Sequence, residues 1–217
     1  MNESTHSFHG KTFRMLRGST HPEYSVTCFE TEENDFRARY FNPEPGQVVV
    51  DVGASYGPYT LAAAACGARV IAFEPEPSVF VDLRRNVEAN GFAGLVSLHR
   101  SGLWSEAAVV DMASYAPHWP AGTITTPFNL VPLDRFNLQR VDWLKIDVEG
   151  AEEKVLQGAL LTLERCRPVV IVECHVFLDA DLGDKCSRIL RDAGYKIETV
   201  HRDPCVMLVA TPSPGPL

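Results

Sequence analysis

The stretch VVVDVGASYGPYT, residues 48–60, decides the fold. Three valines run into Asp51, and a turn built on Gly53 and Gly57 follows at once. A carboxylate at the tip of a buried strand adds nothing to the apolar core, and an ordinary turn needs only one glycine. Glycine lets the backbone approach a bound molecule closely and adopt positive φ angles. An acid and small residues after an apolar strand therefore indicate a ligand held against the backbone.

Apolar strands alternate with helical patterns around this turn. Strands that are apolar throughout and alternate with helices predict parallel βαβ units, with helices on both faces of the sheet. We predict seven strands in a mostly parallel α/β sheet, the last two forming an antiparallel edge hairpin. The strands are predicted within residues 47–53, 69–75, 95–102, 141–150, 167–175, 195–202 and 205–212. The helices are predicted at residues 58–67, 77–91, 151–166 and 184–194.

Composition excludes several classes of protein. The 217 residues carry a net charge of −8, which argues against a nucleic acid as the main partner. No apolar run reaches the roughly 18 residues of a membrane helix, and the first residues lack a signal-peptide core, so we expect a cytoplasmic protein without membrane contact. The six cysteines show no C-x-x-C pair or metal-finger spacing, and we interpret them as reduced and structural.

Three segments do not follow the alternation of strands and helices. Residues 1–40 are predicted to be an N-terminal extension, with short strands at residues 11–16 and 24–30. This extension is expected to lie beside the binding site of the small molecule that the protein acts on (the acceptor) or at a dimer contact. Residues 41–210 are predicted to form the catalytic domain. Residues 105–136, rich in Pro, Thr and aromatics, are predicted to be an insertion with short strands. The tail 211–217 is expected to be disordered.

Three ligands compete for the glycine turn. A phosphate-binding P-loop would need G-K-[ST], but Gly57 is followed by Pro-Tyr. A dinucleotide fingerprint would need G-x-G-x-x-G from Gly53, and two of its three glycines are missing. The third ligand is S-adenosylmethionine, whose sites favour acid-x-G-x-G-x-G. The turn supplies Asp51, Gly53, Ser55 and Gly57, with the acid placed to meet the ligand's ammonium group directly or through water.

A second acid follows at the tip of the next strand. Glu74 ends the strand in AFEP, where a carboxylate can accept hydrogen bonds from both ribose hydroxyls of a nucleoside. This position does not separate NAD from S-adenosylmethionine, because both carry a free ribose diol. The alternative is that Glu74 only caps the following helix. Because the glycine turn also indicates a bound ligand, the interpretation that Glu74 binds the ribose is favoured.

The chain resembles the FkbM-type methyltransferases in VVVDVGASYGPYT, VIAFEPEP, VPLDRF, WLKIDVEGAEEKVLQG and VVIVECH. The resemblance implies a class I, Rossmann-like fold and S-adenosylmethionine-dependent methylation, mostly of hydroxyls on sugars and natural products. Ser55 departs from the asparagine that is more frequent in that family. The residues predicted to bind the cofactor are Asp51, Gly53, Ala54, Ser55, Tyr56, Gly57, Glu74, Pro75, Ser101, Gly102, Leu103 and Asp147.

The catalytic candidates end the fourth and fifth strands of the predicted sheet. Asp147 ends WLKID, and Glu173 and His175 end VVIVECH, so these side chains should converge. We predict His175 as the general base because its unperturbed pKa lies near neutrality. Asp147 would orient it or contact the cofactor. The alternative is that Asp147 is only a helix N-cap. Glu149 and Glu152 are interpreted mainly as first-turn acids favoured by the helix dipole, and a functional part for Glu149 is the alternative.

Other interpretations stay open from the sequence. Asp147, Glu173 and His175 could instead bind Mg²⁺, and the metal is left unassigned. An NAD-dependent oxidoreductase and a non-catalytic S-adenosylmethionine-binding module are the remaining classes. The expected partner is a small-molecule acceptor, with a homodimer open. An aromatic lid over the acceptor is predicted from Trp104, Tyr115, His118 and Trp119.

Overall fold

The protein is described by a computed structural model that covers residues 3–16, 31–110 and 127–214. It contains two compact units, residues 1–100 and residues 101–217. Among the described residues, seven strands belong to the central sheet, and most of them run parallel. The predicted α/β fold class is confirmed.

The first unit contains the glycine turn. Its elements are β1 (Glu3–Phe8), β2 (Lys11–Leu16), α1 (Thr31–Tyr40), β3 (Val48–Val52), α2 (Pro58–Ala65), β4 (Arg69–Phe73), α3 (Pro77–Ala89) and β5 (Val96–His99). Strands β3, β4 and β5 run parallel with β4 between the other two. Pro58 opens α2, where its missing N–H costs nothing. The carboxyl ends of β3 and β4 therefore lie side by side, which brings the turn and Glu74 together.

The hairpin of β1 and β2 packs on the first unit's helices. Phe13 and Met15 are buried, and β2 contacts α2 and α3. The side chains of Asn86 and Asn90 accept hydrogen bonds from the backbone N–H groups of Leu16 and Arg14, each at 2.7 Å. The strand predicted at residues 11–16 is confirmed, whereas the one at 24–30 lies outside the described residues. That residues 1–40 serve the acceptor or a dimer stays a prediction.

The second unit contains the remaining strands and helices. They are β6 (Gly102–Leu103), β7 (Ala108–Val110), β8 (Phe128–Val131), a 3₁₀ turn (Leu133–Phe136), β9 (Trp143–Ile146), α4 (Glu152–Gln157), α5 (Leu160–Cys166), β10 (Val169–Cys174), α6 (Leu182–Asp192), β11 (Tyr195–Arg202) and β12 (Cys205–Pro212). Here β9 and β10 pair in parallel, and β12 lies antiparallel between β10 and β11. The antiparallel edge hairpin is confirmed.

The insertion 105–136 contributes a small separate sheet. Strand β8 pairs with β6 in parallel and with β7 in antiparallel fashion, so the predicted short strands are present. The lid candidates Tyr115, His118 and Trp119 lie outside the described residues. Trp104 packs against the buried pair Phe128 and Leu130. Its described contacts give it a structural role in this small sheet.

The single helix predicted over residues 151–166 is wrong, because the structure has two short helices with a break at Gly158. A Cβ on Gly158 would lie 2.0 Å from the carbonyl oxygen of Trp104, so the backbones touch here. Asp134 occupies the break, since its carboxylate accepts hydrogen bonds from the backbone N–H groups of Leu161 and Thr162 at 2.9 and 2.8 Å. This carboxylate caps α5 and explains the acid in VPLDRF.

The predicted disordered tail is partly wrong. Thr211 and Pro212, which the predicted last strand and the predicted tail both include, belong to β12 and pair with Lys196 and Tyr195. Residues 215–217 lie outside the described part of the chain. Within the described ranges, no helix is both long and apolar enough to cross a membrane.

Candidate active site

The turn after β3 is built from left-handed backbone. Gly53 has φ 73°, Ser55 φ 51° and Gly57 φ 101°. The N–H groups of Gly53 and Ala54 both donate to the carbonyl of Phe73 at 3.0 Å, which ties the turn to the tip of β4. A Cβ on Gly57 would lie 2.8 Å from Leu83 Cδ1, which would have to shift, and the φ of 101° itself favours glycine. Asparagine tolerates the left-handed region better than most residues, which accounts physically for its frequency at the position of Ser55.

Asp51 is fully buried at the base of this turn. Its Oδ2 accepts a hydrogen bond of 2.6 Å from the hydroxyl of Thr60 in α2. The carboxylate therefore holds β3 against the helix that starts the turn. In this conformation its side chain does not reach an open surface, and a contact with the cofactor's ammonium group stays a prediction.

Glu74 is nearly buried, and both of its carboxylate oxygens accept hydrogen bonds from backbone N–H groups. Oε2 accepts from Ser55 N–H and Oε1 from Glu76 N–H, each at 2.9 Å. The alternative that Glu74 caps the next helix is wrong, because the N-cap of α3 is Glu76, which accepts from Val79 N–H. That Glu74 also binds a ribose diol stays a prediction.

The other predicted cofactor residues divide by exposure. Half-buried positions that can face a ligand are Gly53, Ser55, Pro75, Ser101 and Asp147, whereas Ala54, Tyr56, Gly57, Gly102 and Leu103 are buried. Leu103 is fully buried in β6, so only its backbone is placed to contact a ligand. That these residues contact the cofactor stays a prediction.

A second cluster surrounds His175 at the end of β10, and we call His175, Asp147, Glu149 and Glu152 the His175 cluster. His175 Nδ1 lies 2.6 Å from Glu152 Oε1, and both side chains are buried. His175 Nε2 lies 3.4 Å from Glu149 Oε2 and 3.7 Å from Asp147 Oδ1. The predicted convergence of Asp147 with His175 is therefore present in the structure.

The surroundings of His175 bear on its predicted role as the general base, which stays a prediction. Burial alone lowers the pKa of this imidazole. The hydrogen bond that the ring donates to Glu152 and the charges of Asp147, Glu149 and Glu152 outweigh burial and raise that pKa to about 9. A pKa raised in this way favours the protonated imidazole at neutral pH, and that form has no lone pair to accept a proton.

Glu149 and Glu152 both lie against His175, although the sequence interpretation gave them mainly a helix-dipole role. Glu152 is the first residue of α4 and completely buried, yet its carboxylate holds His175 and also accepts from the N–H of Gly150 at 3.1 Å. Glu149 has φ 55°, a left-handed conformation that directs its carboxylate toward His175. The spacing E-x-x-E after Asp147 was the available signal, but it is also typical of a helix N-terminus.

Glu173 and Asp147 belong to different groups of potential ligand atoms, which share His175. The carboxylate of Glu173 groups with His175 and Cys205, and burial together with Glu173 raises the pKa of the Cys205 thiol to about 12. The predicted set of Asp147, Glu173 and His175 is thus not one cluster among the described residues. The five described cysteines are all free thiols, as predicted.

The charged His175 makes stability depend on pH. Its folded pKa of about 9 exceeds the ordinary 6.5, so its stabilisation is fully present below pH 6.5 and lost as the pH rises through 9. Between pH 6 and 9.5 we expect metal-free protein to lose on the order of 3 kcal/mol of unfolding free energy. Urea unfolding across this range measures the loss. The variant His175→Gln should lack this loss, and an identical pH dependence in both proteins would disprove the assignment.

Comparison with known proteins decides the family. The sequence matches the methyltransferase FkbM domain over residues 51–197, more than half of the chain. The chain belongs to the FkbM methyltransferase family. Its matched region includes the glycine turn, Glu74, Asp134 and the His175 cluster.

Relatives and solved structures agree with this membership. Methyltransferase 1 of Beauveria bassiana is 30% identical over 51% of this chain and 57% of its own length. Methyltransferase sdnD of Sordaria araneosa is 25% identical over 69% and 73%. The crystal structure of methyltransferase FkbM from Methylobacillus flagellatus has a TM-score of 0.62 at 21% identity, covering 87% of this chain and 52% of that one, which supports the fold. The chain thus spans little more than half of the Beauveria and Methylobacillus proteins.

Proposed function

We propose that this FkbM family member transfers a methyl group from S-adenosylmethionine to a hydroxyl of a small molecule, of the sugar or natural-product class. The observation that carries the proposal is the left-handed turn of Gly53, Ser55 and Gly57, locked to Glu74 within the family's matched region. The turn has no phosphate-binding lysine, which fits a cofactor without a pyrophosphate.

The residues of the turn fit such a cofactor. Gly53 and Ser55 present small, half-exposed backbone, and Glu74 presents a carboxylate fixed from two sides. We assign Glu74 to the ribose diol and the backbone of the turn to close contact with the cofactor. When bound, S-adenosylmethionine supplies an electrophilic methyl group on a sulfonium.

The acceptor hydroxyl is assigned to the His175 cluster. Asp147 and Glu149 are its accessible carboxylates, with side chains 31% and 41% exposed, whereas Glu152 is fully buried. They can accept the hydroxyl's hydrogen bond, align its oxygen and take its proton as the methyl–sulfur bond breaks and the methyl–oxygen bond forms. Positioning alone supplies much of the rate of a displacement. His175 holds the two carboxylates in place. Phe177 is 54% exposed and packs edge-on to His175, which suits an acceptor with an apolar portion.

Glu74 provides a direct test of the cofactor assignment. Glu74→Ala should weaken S-adenosylhomocysteine binding by roughly 1–3 kcal/mol, because a charged hydrogen-bond acceptor is lost. Isothermal titration calorimetry measures the affinity. Glu88→Ala, an exposed acid on α3, is the matched control and should bind like wild type. Because Glu74 also holds the turn, Glu74→Gln is the gentler second variant, and unchanged affinity in both would remove Glu74 from the site.

The reaction itself is tested by methyl transfer. Purified protein with methyl-labelled S-adenosylmethionine should label at least one member of a panel of glycosides and hydroxylated natural products. Asp147→Asn should impair both acceptor-dependent turnover and cofactor binding. Cofactor binding with no transfer to any member of a broad panel would favour the non-catalytic module.

A further inference from the structure

We propose that Asp147, Glu149 and His175 bind a divalent transition-metal cation of the Zn²⁺ type. The set differs from the predicted magnesium ligands, because Glu149 takes the place of Glu173. Binding of the ion is independent of the proposed function. Only its use in turnover rests on that function, where a cation would act as a Lewis acid toward the acceptor hydroxyl.

The spacing of the three ligand atoms fits a shared ion. His175 Nε2 lies 3.4 Å from Glu149 Oε2 and 3.7 Å from Asp147 Oδ1, and all three atoms lie within 4.8 Å of one another. Two ligand atoms bound to one zinc ion at about 2.1 Å in tetrahedral geometry lie roughly 3.4 Å apart. Direct hydrogen bonds would be shorter, at about 2.7–3.2 Å. The side chains therefore need little movement to share a cation.

The orientation of the imidazole is a second, independent observation that supports a bound cation. The His175 side chain is only 6% exposed, and its Nε2 makes no hydrogen bond to the described residues while pointing between two carboxylates. Its Nδ1 is held at 2.6 Å by the fully buried Glu152. Metal-bound histidines commonly donate the second ring N–H to a carboxylate, which fixes the tautomer and orients the ring. Glu152 is placed to do this.

The local charge also favours a cation. Four carboxylates, from Asp147, Glu149, Glu152 and Glu173, lie around His175. Lys145 lies 3.5 Å from Asp147 Oδ2, which leaves Oδ1 toward the histidine. Even with His175 protonated, the carboxylates exceed the positive groups by two. A divalent ion in place of that proton removes one of the excess charges, and pairing buried charge is strongly favoured.

The ligand chemistry selects the class of ion. One imidazole with two carboxylates suits zinc, manganese and iron, whereas magnesium and calcium prefer oxygen ligands throughout. Zinc is therefore the probe and Mg²⁺ the comparison ion. We expect a zinc site of one ion per chain that Mg²⁺ at equal concentration does not fill.

Zinc titration of the chelator-stripped chain, without an affinity tag, tests the site. Glu149→Gln and Asp147→Asn should each weaken the zinc affinity by at least about 10-fold, since each removes a ligand. Glu149 is partly exposed, so its replacement leaves folding intact, as circular dichroism can verify. Glu164→Gln, an exposed acid on α5, is the matched control and should bind like wild type. Equal zinc affinity in wild type and Glu149→Gln would overturn the proposal.

Two further measurements keep the alternatives apart. Glu173→Gln should retain zinc binding if Glu149 is the ligand, and a loss as large as that of Asp147→Asn would restore the predicted set instead. S-adenosylhomocysteine binding is measured on the same zinc-free protein. If that binding is absent, the proposed function fails while the zinc titration still decides the metal site.

Discussion

Gly158→Ala is expected to destabilise the second unit severely, by about 3 kcal/mol or more, and to prevent folding at 37 °C if stability is marginal. The added methyl would lie 2.0 Å from the carbonyl oxygen of Trp104 and 2.9 Å from its carbon. Both are backbone atoms, so the clash cannot be relieved by moving a flexible side chain. The break between α4 and α5 depends on this close approach.

The matched control is Gly183→Ala in α6, where the added Cβ would meet Val176 at an ordinary 3.8 Å. Alanine favours a helix interior over glycine by about 1 kcal/mol, so this variant should be neutral or more stable than wild type. Thermal and urea unfolding compare the two. A Gly158→Ala protein as stable as wild type would show that the chain does not approach so closely at Trp104.

Gly53→Val is expected to abolish S-adenosylhomocysteine binding while most of the fold survives. Valine is strongly disfavoured at φ 73°, and its side chain would fill the space in which the backbone meets the cofactor. Titration calorimetry measures the loss of binding, and far-UV circular dichroism measures the fold.

Gly10→Val separates strain from steric block. Gly10 has the same φ of 73°, lies in the β1–β2 turn, and has no atom within 4 Å of an added Cβ. This variant carries comparable backbone strain far from the glycine turn in sequence and should bind S-adenosylhomocysteine like wild type. If both variants lose binding equally, the effect of Gly53→Val is loss of stability and not block of a site.

The βαβ core could be predicted from sequence because its signals are local. The three valines before Asp51, Pro58 at the start of α2 and the final hairpin at 195–212 each mark an element by hydrophobicity or backbone chemistry. The break at Gly158 could not be predicted in this way. It depends on a contact with Trp104, which lies 54 residues earlier in the chain, and on the cap from Asp134.

In the candidate site, too, some features could be predicted from local sequence and others could not. The positions of Glu74 and His175 follow from strand ends, which the sequence marks clearly. The protonation of His175 does not, because it depends on three carboxylates, of which Glu149 and Glu152 resemble ordinary first-turn acids. Similarly, the sequence of the turn predicts Asp51 as a cofactor ligand but does not predict its hydrogen bond to Thr60.

The most direct measurement of the central claim is a calorimetric titration of the wild-type chain with S-adenosylhomocysteine, with NAD⁺ titrated in parallel. Both compounds carry a ribose diol for Glu74, but only NAD⁺ carries a pyrophosphate, for which the turn lacks the dinucleotide glycines. The proposed cofactor site predicts one equivalent of S-adenosylhomocysteine bound per chain and no detectable binding of NAD⁺. Binding of NAD⁺, or no binding of S-adenosylhomocysteine, would contradict it.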